Sequence, residues 1–169
     1  MSKGTSPLPF RRIAVIGCPG SGKSVLSRVL RDKTGISLHH LDSIYWHADG
    51  THIPSEELVL RVRAILQADS WIMDGNYASS VEDRIAAAEL VILLDYPTEV
   101  CLAGAEARKG HAHSDLPFIE TGDEEFLQYI RNFKTDTLPR MLAILEKYPH
   151  TTVYTFRSRE EADAFLRSL

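Results

Sequence analysis

The chain has 169 residues, which suits one domain with a substantial core, and 44% hydrophobic with 25% charged residues is an ordinary globular balance. A formal net charge of −4 lacks the basic footprint of a duplex-DNA binder, so direct DNA binding is not expected. No apolar run approaches the roughly 20 residues of a membrane span, and the start of the chain has no signal or transit character, so a cytoplasmic protein is expected.

Residues 1–10 read as a flexible tail ahead of a single domain over 11–169. Arg12 to Gly17 then runs apolar, as a buried strand should, into Gly17-Cys18-Pro19-Gly20-Ser21-Gly22-Lys23-Ser24. This is a complete phosphate-binding loop, G-x-x-x-x-G-K-[ST]. Its glycines let backbone N–H groups curl around a phosphate, Lys23 reaches toward the β- and γ-phosphates, and Ser24 offers a hydroxyl to Mg²⁺. A helix follows from Gly22 to about Lys33, and its N-terminus favours an anion. Val25, Leu26, Val29 and Leu30 are expected on its inner face, and Gly35 is placed to end it. Gly17, Gly20, Ser21, Gly22, Lys23, Ser24 and Val25 are therefore the expected nucleotide-binding set, with ATP and Mg²⁺ as cofactors. Cys18, near a helix N-terminus, reads either as an easily oxidised thiol or as a small loop filler.

A second strand is expected over Ser37–Leu41, then a loop with Trp46, Asp49 and Gly50. Ser55 looks like the N-cap of a helix reaching about Ala68. Trp71-Ile72-Met73 reads as a third strand ending at Asp74-Gly75, followed by a short helix over Val81–Ala88. Leu90–Leu94, apolar on both faces, reads as a central parallel strand, and a helix runs from Thr98 to about Lys109. The stretch 109–122 breaks the pattern and reads as a mobile lid. A capping box at Thr121 to Glu124 opens a long helical region to Tyr148, interrupted near Pro139. A fifth strand, Thr152–Phe156, leads to a capped last helix from Ser158, with Ala162, Phe165 and Leu166 inward. Strand and helix alternate throughout, which argues for an α/β fold with a parallel sheet and helices on both faces.

Ligands of such sheets sit at the carboxyl ends of the strands, where this chain puts the phosphate loop, Asp42, Asp74 and Asp95. Mg²⁺ on phosphates takes only one or two carboxylates, which suits Ser24 with Asp74. Asp42 is the candidate for orienting and deprotonating an acceptor hydroxyl. Asn76 and Tyr77 project over the cleft as acceptor contacts, and Arg84 suits an acceptor phosphate or carboxylate. His111-x-His113 lacks the further ligands that a metal site needs.

The loop, His39-His40-Leu41-Asp42 and Asp74-Gly75-Asn76-Tyr77 resemble small P-loop kinases of the adenylate-kinase type. More narrowly, Gly20 to Ser24, His40-Leu41-Asp42 with Trp46, Trp71 to Tyr77, Arg84, Leu94-Asp95-Tyr96-Pro97 and Arg157-Ser158-Arg159 resemble the bacterial DNA topology modulation proteins. The resemblance implies a five-stranded parallel sheet of order 2-3-1-4-5, with Asp74 beside the first strand in the Walker B position, and a lid whose arginines neutralise the transferring phosphoryl group. Here the lid keeps Arg108 but has His111 and His113 where the family has arginines, with Arg131, Lys134 and Arg140 downstream. The implied function is a kinase using ATP and Mg²⁺ to phosphorylate a small acceptor, a nucleotide or a small hydroxyl compound, with Lys23, Asp42 and Arg108 catalytic. The alternative is a nucleotide-binding regulatory protein with weak or no phosphotransfer.

Overall fold

The computed structural model describes residues 7–113 and 115–169; the first six residues of the expected tail and Ser114 of the lid lie outside them. Five parallel strands form one sheet in the order β2-β3-β1-β4-β5. They are β1 (Arg12–Gly17), β2 (Leu38–His40), β3 (Trp71–Asp74), β4 (Leu90–Leu94) and β5 (Thr152–Phe156). Every residue of β3 and β4 is buried, as is β1 after Arg12, which is why these three read as continuous apolar runs. Register puts Val15 beside Asp74 on one side and Gly17 beside Leu94 on the other. The phosphate loop and Asp74 therefore emerge from adjacent strands at one edge of the sheet.

The helices are α1 (Lys23–Thr34), α2 (Leu41–Tyr45), α3 (Ser55–Leu66), α4 (Ala78–Ala87), α5 (Thr98–Arg108), α6 (Glu124–Asn132), α7 (Leu138–Lys147) and α8 (Arg159–Arg167). Right-handed connections put α1 on one face, where α8 returns to pack on it, and the contiguous set α3, α4 and α7 on the other. The result is a three-layer domain. Among the described residues no helix is long and apolar enough to cross a membrane.

Several local expectations are corrected. The second strand stops at His40 because Leu41 opens a one-turn helix, so Asp42 sits on α2 rather than in a loop. Ser55 is the first helical residue of α3, and the cap position is Pro54. Asp123, not Thr121, caps α6 by accepting from the Phe126 N–H. The interruption before α7 is a π turn at Phe133–Thr137, with Pro139 just inside α7, where its missing N–H is harmless. Val25 is 55% exposed, because serines share the inner face of α1: Ser24, Leu26, Ser27 and Leu30 are buried. At the end of the expected tail, Leu8 is buried and Phe10 packs edge-on against Tyr154 of β5. These two apolar side chains find core surface that composition alone did not reveal.

Candidate active site

The phosphate loop folds as its sequence requires. Gly20 and Gly22 take φ of 84° and 91°, the left-handed region that glycine alone enters freely, and α1 starts at Lys23. The Ser21 N–H and Oγ both donate to the Cys18 carbonyl, closing the turn. The Lys23 ammonium reaches back across the loop, donating to the Gly17 carbonyl at 2.9 Å and the Cys18 carbonyl at 3.2 Å. Desolvation in this crowded position pushes its pKa down, while Asp42 and Asp74 oppose that by favouring the charged form. Lys23, Asp42 and Asp74 thus act on one another in one cleft.

Asp74 is 6% exposed, and one of its carboxylate oxygens accepts from His40 Nδ1 at 2.7 Å. Ser24 is buried, with Arg108 Nη1 at 3.5 Å from its hydroxyl. A hydroxyl and a buried carboxylate with one oxygen held from behind are hard oxygen donors, so the residues present fit Mg²⁺ shared with phosphates. Among the described residues no group of three or more His, Cys, Asp or Glu could hold a metal by itself.

Asp42 accepts a very short hydrogen bond from the Tyr77 hydroxyl. Burial raises the Asp42 pKa, as do Asp74 and Asp115, against the lowering effects of Tyr77 and Lys23. Tyr77 has φ 30°, a strained conformation for a residue with a side chain. Gly75 before it is needed for space, since a Cβ there would lie 2.9 Å from Leu41 Cβ. Asn76 does not face an acceptor. Its amide accepts from the Gly17 N–H at 3.1 Å and donates to the Gly17 carbonyl at 2.8 Å, pinning the phosphate loop to the end of β3.

Arg84 is also corrected. It is fully buried and cannot meet an acceptor. Its Nη1 donates to the Gly75 carbonyl at 2.7 Å, Nη2 to Asn76 at 2.6 Å and Tyr77 at 3.3 Å, and Nε to Ser80. Burial lowers its pKa to about 10, still cationic at neutral pH. Its role is to hold the strained Gly75–Tyr77 backbone that presents Asn76 and Tyr77.

The lid base carries Arg108 to the phosphate loop. Besides Ser24, its guanidinium pairs with Asp115 at 3.1 Å and Glu120 at 3.0 Å. Burial works against this cation, yet the two carboxylates outweigh it and raise its pKa. Of the other basic candidates, Arg131 pairs with Glu124 on the surface and Arg140 is exposed, whereas Lys134 pairs with Asp95 at 3.5 Å, at the strand end beside the phosphate loop, where its charge acts on Cys18. Cys18 is buried, and its contact with Cys101, followed by burial, pushes the thiol pKa up, which favours the filler reading over the reactive one.

Four residues gain supporting roles that the sequence reading did not assign, although His40 and Arg159 stood in the segments that carry the resemblance. His40 orients Asp74. Asp115 joins Arg108, and its backbone carbonyl accepts from Ser43 at 2.7 Å. Arg159 of α8 donates to the Ser21 and Gly20 carbonyls, both at 3.1 Å, and lies over the Tyr96 ring. Gly104 of α5 lets the loop approach, since a Cβ there would lie 2.0 Å from the Gly20 carbonyl oxygen. Gly104 also had a signal, an isolated glycine inside a helical pattern.

No protein-family model matches this chain, and no curated protein matches it. Solved structures do. A shikimate kinase from Acinetobacter baumannii in complex with shikimate superposes with a TM-score of 0.63 at 15% identity, over 94% of this chain and 92% of that one. A gluconokinase from Sinorhizobium meliloti 1021 superposes with a TM-score of 0.55 at 14% identity, over 97% and 90%. At such identities the likeness concerns architecture. The chain has the P-loop kinase fold, five parallel strands in the order 2-3-1-4-5, around the loop that its sequence announced.

Proposed function

We propose that this protein is a small-molecule kinase acting in the cytoplasm, passing the γ-phosphoryl group of ATP to the hydroxyl of a small acceptor. The observation that carries this reading is the meeting of Lys23, Asp42 and Asp74 at one edge of the sheet, where Lys23 and Asp42 each respond to the other and to Asp74. A protein that only held a nucleotide would need the loop but not a half-buried Asp42 beside Lys23. The two structural neighbours are described as kinases of shikimate and of gluconate, which agrees in reaction class.

Loop amides and Lys23 bind the donor phosphates. Ser24 and Asp74 would hold Mg²⁺, which would supply positive charge to the donor phosphates. Asp42 orients the acceptor hydroxyl and accepts its proton, and Tyr77 fixes the Asp42 rotamer. Arg108 stabilises charge on the transferring group. The regulatory alternative, in keeping with the resemblance to DNA topology modulation proteins, is favoured by one observation, the occupation of Arg108 by Asp115 and Glu120. On either reading duplex DNA is not the expected partner, given the net charge of −4.

The test is ADP release with ATP and Mg²⁺ across sugars, polyols, nucleosides, nucleotides and hydroxy acids, with Lys23→Ala and Asp42→Asn beside the native protein. Acceptor-stimulated turnover that falls at least ~10²-fold in both variants is expected. Nucleotide binding by calorimetry without turnover on any acceptor would overturn transfer and leave the regulatory alternative.

A further inference from the structure

Asp42 lies beside an aromatic wall. Tyr77, bonded to Asp42, meets Tyr45 with ring centroids 5.0 Å apart. Tyr45 stacks on His52 at 4.6 Å and meets Trp46 at 5.1 Å, and Trp46 meets Phe118 of the lid edge-on at 5.4 Å. Four separate stretches of chain supply these rings: the end of α2, the turn that brings His52 back to Trp46, the loop after β3, and the lid. Tyr45 and Tyr77 pack against the core on one side, yet like Trp46 and Phe118 they are only partly buried, so the wall keeps some ring surface open.

The charges around that wall are already committed. Asp42, Asp74 and Asp115 place three carboxylates there. Arg108 serves Asp115 and Glu120, and Arg28 approaches Asp115 at 3.9 Å. Arg84 is buried on backbone carbonyls, and His40 serves Asp74. Arg61 and Arg63 of α3 pair with Glu57 and Asp83 on the exposed side. Lys109 is exposed and lies against Gly122, where the two ends of the lid meet. Lys23 belongs to the phosphate loop. An acceptor bearing its own phosphate or carboxylate would meet three carboxylates that repel it, with the arginines of the described residues here already paired or bonded to backbone.

Resting on the phosphotransfer reading above, we propose that the acceptor is an uncharged hydroxyl compound of the sugar or nucleoside class, with an apolar ring face laid on the Tyr45, Trp46 and Tyr77 wall and a hydroxyl at Asp42. The acceptor oxygen attacks the γ-phosphorus of ATP and its proton passes to Asp42. The bond from the γ-phosphorus to the β–γ bridging oxygen breaks, leaving ADP and a phosphate monoester. The site discriminates by charge, so a compound that is already phosphorylated or oxidised to an acid is refused.

The experiment uses matched pairs: a nucleoside against its 5′-monophosphate, and a hexose or hexitol against the corresponding hexonate. ADP release with ATP and Mg²⁺ reads transfer, and calorimetry with a non-hydrolysable ATP analogue reads binding. In at least one pair the neutral member is expected to exceed the charged one by about tenfold or more in kcat/KM, and in affinity. Trp46→Ala is expected to raise the KM of that neutral acceptor about tenfold while ATP affinity stays native. Phe118→Leu, on the exposed lid, is expected to act in the same direction and guards against a folding defect at Trp46. An anionic member that equals or exceeds its neutral partner overturns the inference, as does native acceptor KM in both variants. If no compound is phosphorylated, the transfer reading fails by itself. The binding arm then decides: a neutral ligand lost on Trp46→Ala sustains the inference, and binding by none, or by anions preferentially, ends it.

Discussion

Replacing Gly104 with alanine should destabilise this protein, although the same change in most helices stabilises it. In a helix interior alanine is favoured over glycine by about 1 kcal/mol. Here the added Cβ would stand 2.0 Å from the Gly20 carbonyl oxygen and 2.9 Å from the Gly20 carbonyl carbon, with Arg159 Nη2 at 3.1 Å. Cβ contacts below 3.0 Å essentially do not occur, so loop and helix must part by about 1 Å. The obstructing atoms are backbone, and the loop is tied on its other side through Gly17 to Asn76, so neither partner can rotate out of the way. Overpacking of this kind costs about 1–3 kcal/mol, which outweighs the helix gain in all but its lowest range. A net loss of up to about 2 kcal/mol corresponds to a fall in Tm of up to about 8 °C for a domain of this size. Because the displaced group is the phosphate loop, ATP affinity should weaken about tenfold or more alongside it. Thermal unfolding and nucleotide calorimetry on Gly104→Ala read both effects. An unchanged or higher Tm with native ATP affinity would refute the close approach of α5 to the loop.

Two other changes separate architecture from chemistry. Burial raises the Asp42 pKa, so folding favours its protonated form, and the penalty for holding it ionised grows as pH rises through the folded-state pKa. Asp42→Asn should therefore abolish transfer yet raise Tm at pH 7–8, the gain fading as pH falls toward the ordinary carboxyl range; a lower Tm at neutral pH would contradict it. Arg84→Met should cost about 2–6 kcal/mol, because the Gly75 and Asn76 carbonyls each lose a buried donor at about 1–3 kcal/mol, and the Tyr77 conformation loses its clamp. Native Tm with only a raised acceptor KM would return Arg84 to the acceptor site.

The parts of the fold that were legible share one property, that local pattern and tertiary demand agree. The buried strands β1, β3 and β4 are apolar on both faces because helices cover both faces. The phosphate loop is legible because its backbone path admits few residues. The ends of elements were less so. Ser55 and Thr121 have capping side chains, but the chain enters those helices one or two residues away from where the pattern puts the cap. At the site, residue type pointed to Lys23, Ser24, Asp42 and Asp74, which the fold brings to one edge of the sheet, whereas Asn76 and Arg84, read as acceptor contacts, bond the protein's own backbone. An amide or guanidinium in a loop near a cleft has the same sequence signature whether it binds a ligand or its own backbone. Only burial and partners separate the two, and both come from residues distant in sequence: Asn76 meets Gly17 across 59 positions, and Arg159 meets Gly20 across 139.

Arginine use also changes the meaning of the lid. By composition the segment looks short of charge, with histidines at 111 and 113 where arginines were expected. Yet Arg108 already touches the Ser24 hydroxyl side of the cleft, and carboxylates on both sides keep it charged there. A lid rich in free arginines must pay entropy to bring them in, whereas a single arginine held within the lid base pays little of it. On the kinase reading, the arrival of the γ-phosphoryl group offers Arg108 a stronger anion than Glu120, and Asp115 keeps Arg28 nearby when Arg108 turns. Transfer then depends on exchange of partners by one placed guanidinium rather than on the number of arginines in the lid.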